Sequence, residues 1–505
     1  MYYLKRYGLL ISISLLFCTI SYFFVFKTEA TYYFIEKLSI EVRNYFGHYY
    51  LYLGFLSVFI VIGVALLPAG KQKLGKSFEK PSYSRLEWVS MLYSAGMGAG
   101  ILLRAVQEPV FMKNNPPIVN GASTDIIALE YVFYHWGFTA WAFYALFAII
   151  FGYAIFVRDT PVKMSSTFYS SKAVRQPTFI NKAYLSIIDL LCIFTTIFGL
   201  VAAIGLGTTQ IEGGLAYLFD TTISISQTVY IVLGISIIAG ISAYAGISRG
   251  IKLISKINIY CTVLLLLFVL FQENVLQIIS RFFIALYHYI IDFIPLSLAL
   301  GNFNPGTSFL TDWTYYYWAF WLAWAPFTGI FIARISRGRT IRELVLGVLL
   351  IPSLGTFFWF TTFGTAAFEI IKNSLAYTGE FDNVFTSVYQ FFSYYPYASF
   401  VNSVILLLLV SFLVTSLDSA IFVLSMFTDG GKKEPGKKHR LIWTLLLTLC
   451  TIGIIFLGNS NDQVDVLIAM QKLLIITSLP FSLLMIVMIV LFFKTLYTTR
   501  STKCS

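Results

Sequence analysis

The feature that most restricts the fold of this chain is a succession of long apolar runs joined by short polar loops. A bilayer core needs about 20 apolar residues per helix, and only helices or closed barrels pair every backbone group inside it. With 58% apolar and 12% charged residues, the chain is predicted to be an all-α polytopic membrane protein. The twelve predicted transmembrane helices lie at 8–27, 48–68, 86–111, 127–157, 184–218, 226–247, 255–291, 313–335, 341–371, 397–428, 441–458 and 468–493.

The basic residues give these spans an orientation. If the amino terminus lies inside, 27 of the 35 lysines and arginines fall in inner segments and 7 in outer ones, leaving Arg104 within the third span. Because basic loops stay in the cytoplasm, both termini are predicted to be cytoplasmic, in a multi-pass protein of the cell membrane surrounded by lipid. The net charge of +11 lies in short clusters between apolar runs, so no nucleic-acid partner is expected.

The sequence gives no sign of an enzyme. It contains no HExxH motif, no histidine cluster and no nucleophile elbow, and its five cysteines have neither metal-ligand nor disulfide-framework spacing. We therefore expect no catalytic residues and no organic cofactor.

The third span, with the sequence SAGMGAGILLRAVQEPV, is unusually rich in glycine. Gly96, Gly98 and Gly100 alternate along it, and each weakens a helix by about 1 kcal/mol relative to alanine. A break at mid-membrane is tolerated where the freed backbone groups line a cavity or bind a ligand. The alternative is close helix packing, for which Gly96 and Gly100 have the usual spacing.

Two further spans are rich in aromatic residues: the fourth reads YHWGFTAWAFYALF and the eighth begins WTYYYWAFWLAWAPFTGIF. Tyr317, Trp321 and Trp324 follow at four- and three-residue steps and so share one helix face. Facing rings without a nearby carboxylate suit a quaternary ammonium cation, which gains about 2 kcal/mol or more from desolvated ring contacts. The alternatives are an interfacial belt, which suits Trp88 and Trp313, and a packed aromatic core.

These motifs resemble the betaine/choline/carnitine transporter family. The resemblance rests on GMGAG followed by EP in the third span, on HW, AW and Y in the fourth, and above all on WAFWLAWAPFTGIFIARISRGRTIRE in the eighth. It implies a leucine-transporter-type fold with a five-plus-five inverted repeat preceded by two helices. The implied parts are two N-terminal helices (1–85), a first repeat (86–291), an outer connecting segment (292–312) and a second repeat (313–505).

The resemblance also implies a substrate site at mid-membrane. Its members are an aromatic box, a second cation-facing group, and glycine-rich backbone whose amides receive a substrate carboxylate. The box falls on Trp136, Trp141, Tyr144 and Trp321; the second group is Trp324 and Phe331; the backbone is that of Gly96, Met97, Gly98 and Gly100.

Sodium is the expected ion by the same resemblance. Hydroxyls and backbone carbonyls are suitable ligands for a small alkali cation, although Ser and Thr in membrane helices often bond to their own backbone. A second site would use Thr196 and Phe327, but Leu200 stands where sodium-coupled relatives offer another hydroxyl. The first site would use Ser94, Met97, Phe412, Thr415 and Ser416.

Arg104 departs from the family, which generally carries an aromatic residue there. An arginine at membrane depth costs roughly 2.5–3.5 kcal/mol on insertion scales, so it needs a partner or a role. It could pair with Glu108 at four-residue helical spacing, contact an anionic substrate group, or supply the charge that sodium supplies elsewhere. In the seventh span, Ile259 stands where sodium-independent relatives place an arginine, which favours sodium coupling.

The sequence therefore predicts a sodium-coupled secondary transporter that imports a small quaternary ammonium zwitterion such as glycine betaine, or choline or carnitine, by alternating access. It is expected to form a homotrimer. The alternative is a sodium-independent exchanger of carnitine-like compounds. A channel is disfavoured, because it would not need an ammonium cage deep in a broken-helix site.

Overall fold

The fold is entirely helical in the part of the chain that the computed structural model describes. It covers residues 2–96, 98–168, 179–246, 248–374, 377–432, 434–460 and 464–504, with backbone alone at 2–7, 94–96, 179–182, 248–252 and 498–504. Within these ranges the one β-feature is an isolated antiparallel bridge between Lys73 and Thr340. The all-α prediction is confirmed.

The helices follow one another with short connections. In chain order they are α1 (Tyr2–Phe26), α2 (Thr28–Leu66), α3 (Arg85–Gly96), α4 (Ala99–Arg104), α5 (Gln107–Asn114), α6 (Thr124–Trp136), α7 (Phe138–Gly152), α8 (Phe179–Phe219), α9 (Ile225–Ala245), α10 (Ser248–Gln272), α11 (Val275–Ile291), α12 (Phe293–Leu298), α13 (Thr307–Phe309), α14 (Tyr316–Ile335), α15 (Ile341–Asn373), α16 (Ser387–Phe392), α17 (Ala398–Thr428), α18 (Lys437–Leu457) and α19 (Val466–Cys504). Short 3-10 helices lie at Pro68–Lys71, Met164–Phe168 and Gly301–Phe303, and π-helical turns at Tyr153–Val157 and Leu310–Tyr315.

Eleven helical stretches of the described residues are long and apolar enough to cross a bilayer, and they overlap eleven of the predicted spans. The remaining predicted span, 86–111, is divided among α3, α4 and α5. The count of twelve spans and the division into two repeats therefore stay predictions. Several helices also extend beyond their apolar runs, because hydropathy reports the lipid-buried part of a helix and not its ends.

The seventh predicted span, 255–291, is wrong as a single helix. Its first part ends with α10, and α11 starts after two intervening residues, where the Asn274 side chain accepts a hydrogen bond from the Gln277 amide at 3.1 Å. That cap satisfies an amide of the new first turn, so the chain can change direction within a continuous apolar run. The new helix packs against α6 and α15 and buries Ile278, Ala285 and Tyr289.

The centre of the bundle is the tight packing of α14 against α7 and α8. A Cβ atom added at Gly329 would lie 2.7 Å from the Phe147 ring, and one at Gly199 would lie 2.9 Å from the Ala323 Cβ. Glycine therefore lets these backbones approach more closely than any larger residue would, as is usual where membrane helices meet.

The aromatic fourth span is broken at Gly137, between α6 and α7. A Cβ atom there would lie 2.4 Å from the Phe133 carbonyl oxygen and 2.5 Å from the Phe357 ring, so only glycine fits. The Phe138 amide, freed by the break, donates to the Tyr289 hydroxyl of α11 at 3.0 Å. The Phe138 amide is thus paired despite the break, which puts Trp136 at the end of α6.

Candidate functional site

The aromatic residues predicted from the fourth and eighth spans meet in one cluster. Trp321 lies edge-to-face with Trp136 at a ring-centroid distance of 5.3 Å and with Tyr144 at 5.8 Å. Tyr144 in turn lies edge-to-face with Trp141 at 5.4 Å. All four rings are buried, with exposures of 8% or less. The structure thus brings together the four predicted members of the aromatic box.

The indole nitrogens of two of these rings are held by hydrogen bonds to protein. The Trp321 indole donates to the His135 carbonyl oxygen at 2.9 Å, which the end of α6 leaves without a helical partner. The Trp136 indole donates to Glu108 Oε2 at 3.0 Å. Because the N–H edges are fixed in this way, the ring faces are the surfaces left for a ligand.

The glycine-rich segment passes beside the box. A Cβ atom at Gly100 would lie 3.6 Å from the Trp136 ring, and Gly100 itself is exposed, so there is open space next to that ring. Gly98 is partly exposed and precedes the first turn of α4, where helix amides lack the usual acceptors four residues earlier. One of them, the Ile101 amide, donates to the Gly98 carbonyl oxygen at 3.3 Å. Met97 lies outside the described residues, and only the backbone of Gly96 is described.

The two rings of the second predicted cation-facing group, Trp324 and Phe331, do not touch each other. The Trp324 indole donates to the Gly199 carbonyl oxygen at 3.0 Å, and its ring contacts Phe327 at 5.6 Å and Phe320 at 6.2 Å. Phe331 is 39% exposed and has no ring contact among the described residues. Phe331 is seven positions after Trp324, a helical rise of about 10 Å, so the rings do not touch, and the second cation-facing group stays a prediction.

Two hydroxyls of the predicted sodium sites, those of Thr415 and Thr196, bond to their own helices. Thr415 Oγ1 donates to the Ser411 and Phe412 carbonyls at 3.0 and 3.1 Å, and Thr196 Oγ1 donates to the Cys192 carbonyl at 2.8 Å. A hydroxyl that donates its hydrogen keeps two lone pairs, so both oxygens can still coordinate a cation. The first predicted sodium site combines residues of the third span with residues of α17, so these segments must lie together. α17 does pack against α4, which belongs to the third span.

Two more predicted sodium ligands lie largely beyond what the structure describes: Met97 lies outside the described residues, and at Ser94 only the backbone is described. Ser416 is partly exposed on α17 beside Thr415, while Phe412 is 6% exposed. The first sodium site therefore stays a prediction.

A fully buried carboxylate lies beneath the box, although the box was expected to have none nearby. Glu108 is 0% exposed. Besides the Trp136 indole, the Tyr317 hydroxyl donates to its Oε2, and Oε1 lies 3.2 Å from His135 Nδ1. Its two oxygens are thus occupied by three side chains of the site, of which one, Trp136, belongs to the box itself.

Arg104 does not pair with Glu108, since the two form no ion pair within 4.0 Å, although the structure describes both side chains. Arg104 Nη1 instead donates to Gln107 Oε1 at 2.7 Å, and the guanidinium lies 4.9 Å from the centre of the Trp313 ring. The four-residue argument fails because α4 ends at Arg104 and the next helix begins only at Gln107. Arg104 is 4% exposed, and its Nη2 has no hydrogen-bond partner.

The sequence reasoning missed three residues of this cluster as partners of a buried charge: Gln107, His135 and Tyr317. His135 was weighed only as a proton relay or a satisfied buried residue, and Trp313 only as part of an interfacial belt. No local pattern could have found His135 and Tyr317, because they reach Glu108 from other helices. Gln107 lies only three residues from Arg104, so its spacing was a local signal.

Comparison with known proteins points to one kind of protein. The family model described as "BCCT, betaine/carnitine/choline family transporter" matches residues 9–501. The glycine betaine transporter OpuD of Bacillus subtilis is 34% identical over 465 residues, 91% of this chain and 88% of the relative. The ectoine/hydroxyectoine transporter of Virgibacillus pantothenticus is 32% identical, covering 91% and 90%. The high-affinity choline transport protein of Escherichia coli is 32% identical, covering 87% and 64%.

Proposed function

This chain belongs to the betaine/carnitine/choline transporter family, and we propose on that premise that it imports a quaternary ammonium zwitterion such as glycine betaine by sodium-coupled alternating access. As a family member it is a multi-pass membrane transporter and not an enzyme. The proposal includes a cell-membrane location with both termini in the cytoplasm, supported by the distribution of basic residues. It also includes a homotrimer, for which the family resemblance is the support.

One observation supports the substrate proposal: the Trp321 ring contacts two other rings of the box. Its centroid lies 5.3 Å from that of Trp136 and 5.8 Å from that of Tyr144. A trimethylammonium group has no N–H to donate, so ring faces attract it without needing hydrogen bonds. The oxygens of Glu108 are engaged by other side chains, so the carboxylate adds a negative field beneath the box without competing for direct contact.

For the anionic end of the substrate, we propose the amides of Gly98 and Gly100, beside Trp136. A carboxylate there would stand one helical turn from Arg104, whose Nη2 lacks a partner. Arginine binds carboxylates through just such N–H groups, so Arg104 can favour zwitterions over choline, which has no carboxylate.

A second candidate is a sodium-independent exchanger of carnitine-like compounds. The observation that favours it is the buried guanidinium of Arg104, a fixed positive charge 4% exposed near the box and free of any ion pair within 4.0 Å in the described structure. Such a charge can substitute for a bound cation.

Uptake into proteoliposomes separates the two candidates. We expect labelled glycine betaine to accumulate when sodium is higher outside, and not when potassium replaces sodium, because the sodium gradient supplies the driving force. Choline and carnitine, tested in parallel, define the substrate. Uptake that does not depend on sodium, but requires substrate trapped inside the proteoliposomes, would contradict the first proposal and establish the exchanger.

Replacing both hydroxyls of the proposed sodium site tests the ion. The Thr415→Ala, Ser416→Ala variant should need several-fold more sodium for half-maximal betaine uptake, because two oxygen ligands are gone. The measurement is the sodium dependence of uptake. Thr448→Ala is a matched control, since Thr448 has the same 9% exposure as Thr415 and also bonds to its own helix. An unchanged sodium dependence in the double variant would show that Thr415 and Ser416 do not bind the coupled sodium ion.

A further inference from the structure

Four polar side chains that the transport proposal leaves unused meet where α6, α11 and the loop before α6 come together. Glu130 lies on α6, His288 on α11, Asp292 directly after α11, and Asn120 in the loop. One potential ligand atom each from Glu130, His288 and Asp292 lies within 4.8 Å of the other two. They are brought together from distant parts of the chain, at the predicted outer end of the bundle.

Glu130 is the residue that most needs a partner in this cluster. Its side chain is 0% exposed; Oε2 accepts a hydrogen bond from Asn120 Nδ2 at 2.9 Å, but Oε1 has no partner. A buried carboxylate oxygen without a partner is costly, since it has lost water and gained nothing in return. The other oxygen of this residue shares the Asn120 amide with Asp292, so the Glu130 carboxylate lies directly beside the second carboxylate.

Asn120 holds the two carboxylates together without neutralising them. Its Oδ1 accepts from the Ala122 amide at 3.1 Å, which leaves Nδ2 to face Glu130 at 2.9 Å and Asp292 at 3.2 Å. An amide is neutral, so the repulsion between the two carboxylates remains. A proton or a cation must offset it.

A cation can reach the cluster from solution. Asn120, His288 and Asp292 line a surface cavity of about 570 Å³. His288 Nδ1 lies 3.6 Å from Asp292 Oδ2, and the two side chains are 26% and 18% exposed. Both can therefore turn toward an ion, and the buried Glu130 has a carboxylate oxygen within 4.8 Å of a ligand atom of each.

We propose that Glu130, His288 and Asp292 bind a divalent transition-metal ion, with Zn²⁺ as the best match. Two carboxylates and one imidazole are three ligands of the kind that zinc takes, and the cavity leaves the fourth position to water. Calcium and magnesium prefer oxygen ligands alone, so the imidazole disfavours both. The ion would offset the repulsion between the carboxylates and tie α11 to α6, the helix that carries Trp136.

The test uses the purified full-length chain in detergent, freed of metal by a chelator that is then removed. Zn²⁺ should raise the thermal unfolding midpoint of the unmodified chain, and Ca²⁺ should not. The His288→Gln variant, which keeps size but loses the imidazole, should bind Zn²⁺ at least about tenfold more weakly by calorimetric titration. His48→Gln is the matched control, because His48 is also exposed and belongs to no ligand cluster among the described residues; it should respond as the unmodified chain does.

Either of two results would overturn the site: no response of the unmodified chain to Zn²⁺, or equal Zn²⁺ affinity for the unmodified chain and His288→Gln. The Glu130→Gln variant distinguishes a bound metal ion from a proton shared by the two carboxylates. With a metal site it should lose the Zn²⁺ response. If the carboxylates share a proton instead, Glu130→Gln should be at least as stable as the unmodified chain, and Zn²⁺ should not change the unfolding midpoint of the unmodified chain. Betaine uptake plays no part in these readings, so their failure leaves the transport proposal untouched.

Discussion

Replacing Trp321 with alanine is expected to weaken glycine betaine binding at least about tenfold, while Trp321→Phe weakens it only modestly. A desolvated cation–π contact contributes about 2 kcal/mol or more, and phenylalanine keeps a ring face where alanine keeps none. Trp321 is the critical ring because both Trp136 and Tyr144 lie against it. The measurement is betaine affinity, from binding to the purified chain or from competition uptake.

A leucine variant separates the ring from its bulk. Alanine also removes packing and the hydrogen bond to the His135 carbonyl, so it lowers stability as well as affinity. Trp321→Leu fills much of the same space without a π face and should bind betaine nearly as poorly as Trp321→Ala. The tert-butyl analogue of betaine has carbon in place of the charged nitrogen. It should bind the unmodified chain far more weakly than betaine does, whereas Trp321→Leu should show little difference between the two compounds. Betaine affinity that survives in Trp321→Leu would show that the ring merely fills space.

The Glu108→Ala substitution should be strongly destabilising, by roughly 3–5 kcal/mol, and should also abolish high-affinity betaine binding. It leaves the Trp136 indole, the Tyr317 hydroxyl and His135 without their common acceptor in a buried setting. Each buried donor that loses its acceptor costs about 1–3 kcal/mol. Trp136 would then no longer be held against Trp321, so the aromatic box loses its geometry.

Two variants make the Glu108 result specific. Glu108→Gln keeps an acceptor oxygen for the Trp136 indole and should retain most of the stability. Glu212→Ala removes a partly exposed carboxylate that accepts from a single hydroxyl, that of Thr228 at 2.8 Å, and should cost far less. The readouts are the thermal unfolding midpoint in detergent and betaine affinity. Equal midpoints and affinities for Glu108→Ala and the unmodified chain would mean that this carboxylate does not organise the site.

The aromatic box was predictable from sequence because its members belong to two dense motifs. Trp136, Trp141 and Tyr144 lie within nine residues of one span, and Trp321 lies in the most distinctive run of another. Phe331 illustrates the limit of such reasoning. It lies in the same motif as Trp324, yet two helical turns separate the rings, and the structure leaves Phe331 exposed at 39%. A motif assigns residues to a helix but does not place their side chains in one pocket.

The surroundings of Arg104 were not predictable, because the four-residue rule assumes an unbroken helix. The sequence shows that this span is rich in glycine but not where the helix stops. The end of α4 at Arg104 turns the side chain toward Gln107 and Trp313, and it frees Glu108 for partners on other helices. One interrupted turn thus changes the electrostatic neighbours of both charges.

The sequence by itself determined that this chain is helical and built for a membrane, since a bilayer requires each span to pair its own backbone groups locally, and local pairing is visible as long apolar runs. It also determined the family and the residue types of the aromatic box. Only the tertiary structure decided which side chains meet Glu108, where α10 gives way to α11, and that Glu130 lies beside His288 and Asp292. Those contacts join residues up to 209 positions apart, and they depend on the rotation and depth of each helix against its neighbours, which apolar runs do not encode.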